Sequence, residues 1–229
     1  MSTAFKGPQQ LFASLFQAHP WHGVSSKVGR GELLNAFIEI VPTDGIKYEL
    51  DKQSGHLRVD RPQRFSSRCP TLYGFIPQTY CGARVGQRSS ERTGGDEIRG
   101  DNDPLDICVM TEHPAVHGIL VHAKAIGGFR MIDGEEADDK IIAVMESDPA
   151  FGHFENISDC PSLLIERIEH YFLTYKQRPD SAPRNVRIAE IYDQAEAHAV
   201  IELSMQDYRE MYGSPEERLA ELLKFVRTR

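Results

Sequence analysis

Residues 36–61 read Ala-Phe-Ile-Glu-Ile-Val-Pro-Thr-Asp-Gly-Ile-Lys-Tyr-Glu-Leu-Asp-Lys-Gln-Ser-Gly-His-Leu-Arg-Val-Asp-Arg, and this stretch decides the fold class. It predicts three strands, at 36–41, 46–51 and 56–61. In the second strand apolar and polar residues alternate strictly, which is the period of a half-buried strand. The segment 52–55 contains Ser and Gly, so it predicts a turn between the second and third strands.

Outward from this stretch the same rhythm continues. Further short strands are predicted around 105–110, 118–126 and 140–145. Many short strands with short connections are typical of a closed or nearly closed antiparallel barrel. Gly, Arg, Ser, Thr and Glu dominate residues 82–100, which contain almost no apolar side chain and are predicted to form a long polar loop.

Helical patterns lie toward the two ends of the chain. Residues 9–18 predict a short helix, because apolar residues recur there at helical spacing. An apolar stripe predicts a second helix at 161–177, and a third is predicted at 193–211. The run Ser214-Pro215-Glu216-Glu217 is a capping box and predicts a last helix.

The length and composition indicate one domain. A chain of 229 residues with 40% hydrophobic residues is suited to a single globular unit with a sizeable core. We therefore expect one α+β domain over 1–229, with a mainly antiparallel sheet. Its core would span about 35–205, with an N-terminal extension at 1–34, the inserted polar loop at 82–100 and a C-terminal helical extension at 206–229.

The charge and the cysteines exclude several classes of protein. A formal charge of −8 argues against binding to nucleic-acid backbones, which requires a basic face. The four cysteines form no C-x-x-C pair, so neither a zinc motif nor a redox motif is supported. No secretion signal and no apolar run long enough to span a bilayer is found, so we predict a cytoplasmic protein without membrane contact.

A group of aspartates is the strongest indication of chemistry. Asp101, Asp103 and Asp106 fall within six residues, and Asp133 and Asp138 follow a later strand. Residues two apart on a strand share a face, so the first two are expected to converge. Carboxylates packed this closely repel one another unless cations neutralise them, and Mg²⁺ prefers oxygen ligands. A solvated acidic loop is the alternative interpretation. A calcium loop of the EF-hand kind is disfavoured by the spacing.

Cationic residues accompany the aspartates. Lys47 and Glu49 share the polar face of the second strand, and Arg61 ends the third strand. Tyr175 and Lys176 lie on the predicted helix at 161–177. Each of these residues alone is also what an ordinary half-buried element shows.

Together these motifs resemble the soluble family I inorganic pyrophosphatases. The signature is Asp101-Asn102-Asp103-Pro104-Leu105-Asp106-Ile107, and the resemblance covers roughly residues 35–205. The supporting matches, in family order, are Phe37-Ile38-Glu39-Ile40, Ile46-Lys47-Tyr48-Glu49-Leu50-Asp51, Val59-Asp60-Arg61, Tyr73-Gly74-Phe75-Ile76, Met131-Ile132-Asp133, Asp138-Asp139-Lys140, Tyr171-Phe172 and Tyr175-Lys176.

The resemblance implies a fold, a reaction and a set of site residues. It implies a five-stranded OB-type barrel with helices outside, and hydrolysis of pyrophosphate with several Mg²⁺ ions, for which Mn²⁺ is a substitute. The implied metal ligands are Asp101, Asp106, Asp133, Asp138, Glu39 and Glu49. The implied substrate-binding residues are Lys47, Glu49, Arg61, Tyr73, Lys140, Tyr175 and Lys176. The implied catalytic residues are Asp103 as general base, with Tyr73, Lys47 and Arg61.

The sequence departs from the family pattern in places, and two other functions remain open. Residues 82–100 form an insertion relative to short bacterial members, Leu72 precedes Tyr73, and the segment 19–23 is extra. A homo-oligomer is implied, either a hexamer or a dimer. One alternative is a metal-dependent hydrolase of nucleotides, for which we find no base pocket in the sequence. The other is a non-enzymatic OB-type module that binds nucleic acid.

Overall fold

A computed structural model describes residues 17–29, 31–95, 97–177, 185–214, 217–221 and 224. The helix predicted at 9–18 lies, apart from its last two residues, outside this range, and those two residues are not helical. Of the helix predicted from Ser214 onward, residues 217–221 are described and are helical. No helix in the described ranges is long and apolar enough to cross a membrane.

The described part of the chain is built from ten strands and three α-helices. The strands are β1 Leu34–Ile40, β2 Ile46–Leu50, β3 Leu57–Pro62, β4 Leu72–Phe75, β5 Arg99–Gly100, β6 Asp106–Met110, β7 Ile119–Asp133, β8 Glu136–Ala137, β9 Lys140–Met145 and β10 Val186–Asp193. The helices are α1 Ala83–Arg92, α2 Ser162–Thr174 and α3 Gln194–Tyr212, with a 3₁₀ turn at Ile157–Asp159. All six strands predicted from the sequence are confirmed, with shifts of one or two residues at their ends except for β7, which continues to Asp133.

Five strands pair in a closed cycle. The pairings run from β1 to β4, β6, β9 and β7, and β7 pairs again with β1. The β6–β9 pair is parallel, as is the short β5–β8 pair, whereas the other pairs are antiparallel. The sheet is therefore mixed rather than wholly antiparallel, and the mainly antiparallel arrangement that we predicted describes most of its pairs. Strands β6 and β9 are adjacent and parallel because β7, which comes between them in the sequence, pairs with β9 and not with β6.

The hairpin β2–β3 forms a separate two-stranded sheet. The opening stretch of the sequence thus supplies one strand of the large sheet and a hairpin beside it. Lys47 on β2 is paired in register with Arg61 on β3, so the hairpin brings two predicted site residues together.

Strand β7 is longer than the sequence indicated, because it continues through Gly127 and Gly128. A pair of glycines normally suggests the end of a strand. Here the glycines allow close packing, since a Cβ atom on Gly128 would lie 2.3 Å from the Tyr192 ring of β10. The extension lets β10 pair along the far half of β7.

The segment 82–100, which we predicted as a polar loop, contains helix α1, so this prediction was wrong. The first turn of α1 has no side-chain cap of its own. Instead the Asp207 carboxylate of α3 accepts backbone N–H bonds from Gly82, Arg84 and Val85 at 3.0–3.2 Å. A cap supplied from so far along the chain cannot be recognised within a local stretch of sequence.

Helices α2 and α3 lie close to the predicted ranges 161–177 and 193–211. Asp193 caps α3 by accepting from the Glu196 N–H at 3.0 Å, and Gly213 ends it with a φ of 69°. One side of the large sheet packs on α3 through residues such as Val200 and Ile201, and another part packs on α2 through Ile168 and Phe172. The two helices thereby pack against different parts of the sheet. A cleft lies between the sheet and the hairpin.

Candidate active site

A cleft of about 180 Å³ lies between the hairpin β2–β3 and the ends of β4, β6 and β9. Most of the predicted site residues line it: Glu39, Lys47, Glu49, Tyr73, Asp101, Asp103, Asp106, Asp138, Lys140, Tyr175 and Lys176. Arg61 and Asp133 do not line it directly. Arg61 pairs with Asp60, which also contacts Lys47, and Asp133 contacts the Lys176 ammonium at 3.5 Å. By these side-chain contacts, Asp133 lies one contact away from the lining, and Arg61 lies two contacts away, through Asp60.

The acidic loop is a turn, so the strand geometry that we expected for Asp101 and Asp103 is wrong. Asn102 adopts a left-handed conformation with φ of 65°, which Asn tolerates better than most residues. Its side-chain oxygen accepts a hydrogen bond from the Tyr80 hydroxyl at 2.6 Å. The Asp103 N–H donates to the Asp101 carboxylate at 2.9 Å, and the Cys81 N–H donates to the Asp103 carbonyl at 2.8 Å. These bonds fix where the two carboxylates emerge.

Three neighbouring strands bring a tyrosine, an aspartate and a lysine together. Asp106 begins β6, and it is paired in register with Lys140 at the start of β9. The Tyr73 hydroxyl of β4 donates to Asp106 Oδ2 at 2.5 Å. The Lys140 ammonium, which is 3% exposed, donates to both Asp106 and Asp138. This buried lysine is the cation that the Asp106 and Asp138 carboxylates share.

The electrostatics of the cleft are those of a largely buried acidic site. Burial, followed by the nearby Asp138 carboxylate, raises the pKa of Asp101 to about 8. Burial also raises the pKa of Asp138, although Lys140 opposes this. The pKa of Glu39 rises to about 8 through burial, even though its carboxylate accepts the Leu50 N–H at 2.7 Å. Because these buried carboxyl groups retain a proton, a further cation that takes the place of the proton would be stabilised beside them.

Cationic side chains in the cleft are paired with these acids. Burial lowers the pKa of Lys140, but Asp106 and Asp138 outweigh that effect and raise it well above its ordinary value. Lys47 lies 3.5 Å from Glu49 and 3.2 Å from Asp60. The ammonium groups therefore lie among the carboxylates, where they are available to an anion that arrives with its own cations.

The donor set fits a hard divalent cation. The acidic lining offers carboxylate oxygens without sulfur or imidazole, which is the ligand chemistry of Mg²⁺ and Mn²⁺. Within the described ranges, no three His, Cys, Asp or Glu side chains already converge as a closed metal cage. An open arrangement suits Mg²⁺, which keeps several waters and completes its shell with phosphate oxygens.

Several lining residues were not found from the sequence. Trp21 and Phe75 back the cleft, and Lys52 pairs with Asp103 across it. Trp21 comes from the N-terminal segment and donates its Nε1–H to the Thr79 carbonyl at 2.8 Å. Nothing in the local sequence around Trp21 indicates a cleft. Lys52 lies in the predicted turn of the hairpin. Its position next to the polar face of β2 was the feature of the sequence from which its place in the cleft could have been predicted.

An acidic cleft interleaved with lysines is typical of metal-dependent enzymes that act on phosphates. Comparison with known proteins shows which family within this class of enzymes the chain resembles. A protein-family model described as "Inorganic pyrophosphatase" matches residues 36–209. The inorganic pyrophosphatase of Chlamydia caviae is 52% identical over 200 residues, which cover 85% of this chain and 93% of that relative. The inorganic pyrophosphatase of Chlamydia trachomatis is 49% identical over 200 residues, which cover 85% of this chain and 96% of that relative.

A solved structure agrees. The inorganic pyrophosphatase from Thermus thermophilus superposes with a TM-score of 0.70 at 26% identity, covering 84% of this chain and 99% of that one. The chain belongs to the inorganic pyrophosphatase family.

Proposed function

We propose that this chain hydrolyses inorganic pyrophosphate to two phosphates in the cleft, with Mg²⁺ as its metal. The observation that carries the proposal is the buried Lys140 ammonium between Asp106 and Asp138. It combines, in one place, oxygen ligands for a metal and a cation for a phosphoryl group. Pyrophosphate is small and densely anionic and has no carbon skeleton, so metals, Lys, Arg and Tyr must recognise it.

Asp101, Asp106 and Asp138 would hold the first Mg²⁺, with Asp106 shared with a second ion. Asp133, Asp138, Glu39 and Glu49 would serve further ions, and Mn²⁺ would be a substitute because it favours the same oxygen ligands. When bound there, Mg²⁺ supplies charge that polarises phosphoryl oxygens and lowers the pKa of a water.

The basic and phenolic groups bind the phosphoryl oxygens. These are Lys47, Arg61, Tyr73, Lys140, Tyr175 and Lys176. Burial and the Asp106 and Asp138 charges raise the pKa of Tyr73 well above its ordinary value, so its hydroxyl remains a donor. Lys140, whose pKa is raised, supplies charge that is not lost at neutral pH and stabilises the leaving phosphate as its bond to the attacked phosphorus breaks.

Asp103 accepts the proton from the attacking water. Its side chain is 48% exposed, compared with 22% for Asp106 and 19% for Asp138. It is therefore the least enclosed of these acids, and water reaches it most easily. The Asp103 N–H donates to the Asp101 carboxylate, which holds Asp103 next to a proposed metal ligand, where a general base is required.

The size and charge of the cleft favour pyrophosphate over the alternatives. At about 180 Å³ the cleft is smaller than the roughly 300–1,000 Å³ of pockets that enclose drug-sized ligands, so a nucleoside has little room. Among its aromatic side chains, Trp21 and Phe75 are almost fully buried and are not available for base stacking, and Tyr73 and Tyr175 are assigned to the phosphoryl oxygens. The carboxylates would repel a nucleic-acid backbone.

The wider architecture is part of the same proposal. The closed pairing of β1, β4, β6, β9 and β7 supports an OB-type barrel. The match of the family model to residues 36–209 supports one domain whose core spans about 35–205, with the extensions at 1–34 and 206–229 and the insertion at 82–100. We also propose a cytoplasmic homo-oligomer, either a hexamer or a dimer.

Metal binding is expected to release a proton. The pKa of Asp101 is about 8 in the folded chain against an ordinary 3.8, so its contribution to stability is full below pH 3.8 and is lost as the pH rises toward 8. Mg²⁺ must displace this proton. Its dissociation constant should therefore fall about tenfold for each unit by which the pH rises toward that pKa. Isothermal titration with Mg²⁺ alone, in buffers of different ionisation enthalpy, measures the proton directly. Asp101→Asn should weaken this dependence and reduce the number of protons released, because Asp138 and Glu39 also have raised pKa values. A dissociation constant that does not change with pH would contradict the assigned ligand.

A further inference from the structure

Behind the cleft lies a buried network of charges that the proposed reaction does not use. Arg130 on β7 is fully buried, and Asp139 is 1% exposed. Arg130 Nη1 lies 3.8 Å from Asp139 Oδ2, and the Tyr192 hydroxyl donates to the same oxygen at 3.1 Å. The Arg130 guanidinium also stacks on the Tyr192 ring, 5.1 Å from its centroid.

The network continues outward to helix α1. Arg130 Nε donates to Glu190 at 3.1 Å, and its Nη2 donates to Glu196. Arg88 and Arg92 of α1 close the outer side by pairing with Glu196 and Glu190, respectively. The network thus contains three cations, Arg88, Arg92 and Arg130, and three anions, Asp139, Glu190 and Glu196. Because these charges balance, the buried guanidinium is compensated from several sides.

Asp139 has a special place in this network because of its neighbours in the chain. Asp138 and Lys140 line the cleft and contact each other there, whereas Asp139 between them reaches Arg130 and Tyr192. Successive residues of an extended chain point to opposite sides. The contacts of Asp139 with Arg130 and Tyr192 therefore fix the direction in which its two neighbours in the chain enter the cleft.

We propose that Asp139, held by Arg130 and Tyr192, is a positioning residue that fixes Asp138 and Lys140 for metal and pyrophosphate binding. It touches neither metal nor substrate and acts through the two residues beside it. Groups that orient metal ligands from behind commonly change metal affinity or activity by about 10–100-fold when they are replaced. This inference rests on the proposed function of the cleft.

The test compares two variants that remove the same charge from the same network. Asp139→Asn keeps the shape of the side chain but loses its negative charge. Glu190→Gln also removes one negative charge next to Arg130, but Glu190 lies on β10, and neither Ala189 nor Ile191 lines the cleft. In each variant two carboxylates still contact Arg130, so the full chain is expected to fold.

Three quantities are measured for wild type and variants: the Mg²⁺ dissociation constant by titration without substrate, the KM for pyrophosphate, and the thermal midpoint. We expect Asp139→Asn to raise the dissociation constant and KM each about tenfold, with Glu190→Gln within about twofold of wild type. Both variants should lower the thermal midpoint. If the two variants raise KM and the dissociation constant equally, or if Asp139→Asn changes only the midpoint, the positioning role is refuted.

Tyr192→Phe keeps the test decisive if Asp139→Asn does not fold. It removes the hydroxyl bond to Asp139 while every charge remains, so we expect about a threefold rise in both constants, less than the roughly ten- to hundredfold usual for such partners. Unchanged constants in Tyr192→Phe would then overturn the inference. If wild type binds Mg²⁺ but hydrolyses no pyrophosphate, the proposed function fails, and the metal titrations still decide the role of Asp139.

Discussion

Asp103→Asn should lower kcat for pyrophosphate by at least about a hundredfold, the usual contribution of a general base. The amide has the same shape as the carboxylate, but it accepts no proton from the attacking water. Asp103 is half exposed, and its side-chain partner in the cleft is the surface lysine Lys52, so the substitution should leave the fold intact. The measurement is the initial rate of phosphate release at saturating Mg²⁺ and pyrophosphate.

Asp193→Asn is a matched control for that variant. It makes the same chemical change at the N-cap of α3, where Asn caps as well as Asp does. We expect its kcat to stay within about twofold of wild type, since exposed substitutions away from the site have small effects. If Asp103→Asn retains more than a tenth of the wild-type rate, another group is the base.

Lys140→Met should reduce kcat/KM by about a hundredfold, which corresponds to about 3 kcal/mol lost from a buried charge pair. Methionine preserves the length of the side chain and its packing against the Phe172 ring, which lies 5.5 Å from the Lys140 ammonium. What disappears is the cation between Asp106 and Asp138. The substrate then loses a phosphoryl contact that the other lysines do not replace.

The same variant should respond to metal in a characteristic way. Without Mg²⁺, Lys140→Met leaves two buried carboxylates without their shared cation, so the free energy of unfolding should fall by about 3 kcal/mol. Mg²⁺ neutralises the same carboxylates, so it should raise the thermal midpoint of the variant more than that of wild type. Lys27→Met, which breaks a surface pair with Glu202, is the control and should change neither quantity appreciably. A KM and kcat close to wild type in Lys140→Met would remove this lysine from the substrate site.

Local sequence patterns predicted the elements whose information is local. The alternation in β2 and the apolar stripe of α2 predicted these elements within a few residues, and α3 was also predicted within a few residues. Helix α1 was missed because its cap is Asp207, which is more than a hundred residues away in the sequence. The continuation of β7 through Gly127 was missed because its cause is the packing of Tyr192 on another strand.

For the site, residue types could be predicted but their arrangement could not. The spacing of the aspartates indicated a cation site, and the structure brings Asp101, Asp103, Asp106 and Asp138 to one cleft. The turn at Asn102 depends on the Tyr80 hydroxyl, which no strand pattern reveals. The contribution of Trp21 likewise depends on where the N-terminal segment packs. Such contacts between distant segments are what a single sequence without its fold leaves undetermined.

The most direct test of the central claim compares phosphate release from pyrophosphate and from ATP by the same preparation, with Mg²⁺ and after chelation. We expect kcat/KM for pyrophosphate to exceed that for ATP by at least about a hundredfold, because the small cleft discriminates against the bulky nucleoside. Chelation should abolish the activity, and Mg²⁺ should restore it. Equal or preferred hydrolysis of ATP, or pyrophosphate hydrolysis that persists without metal, would contradict the account.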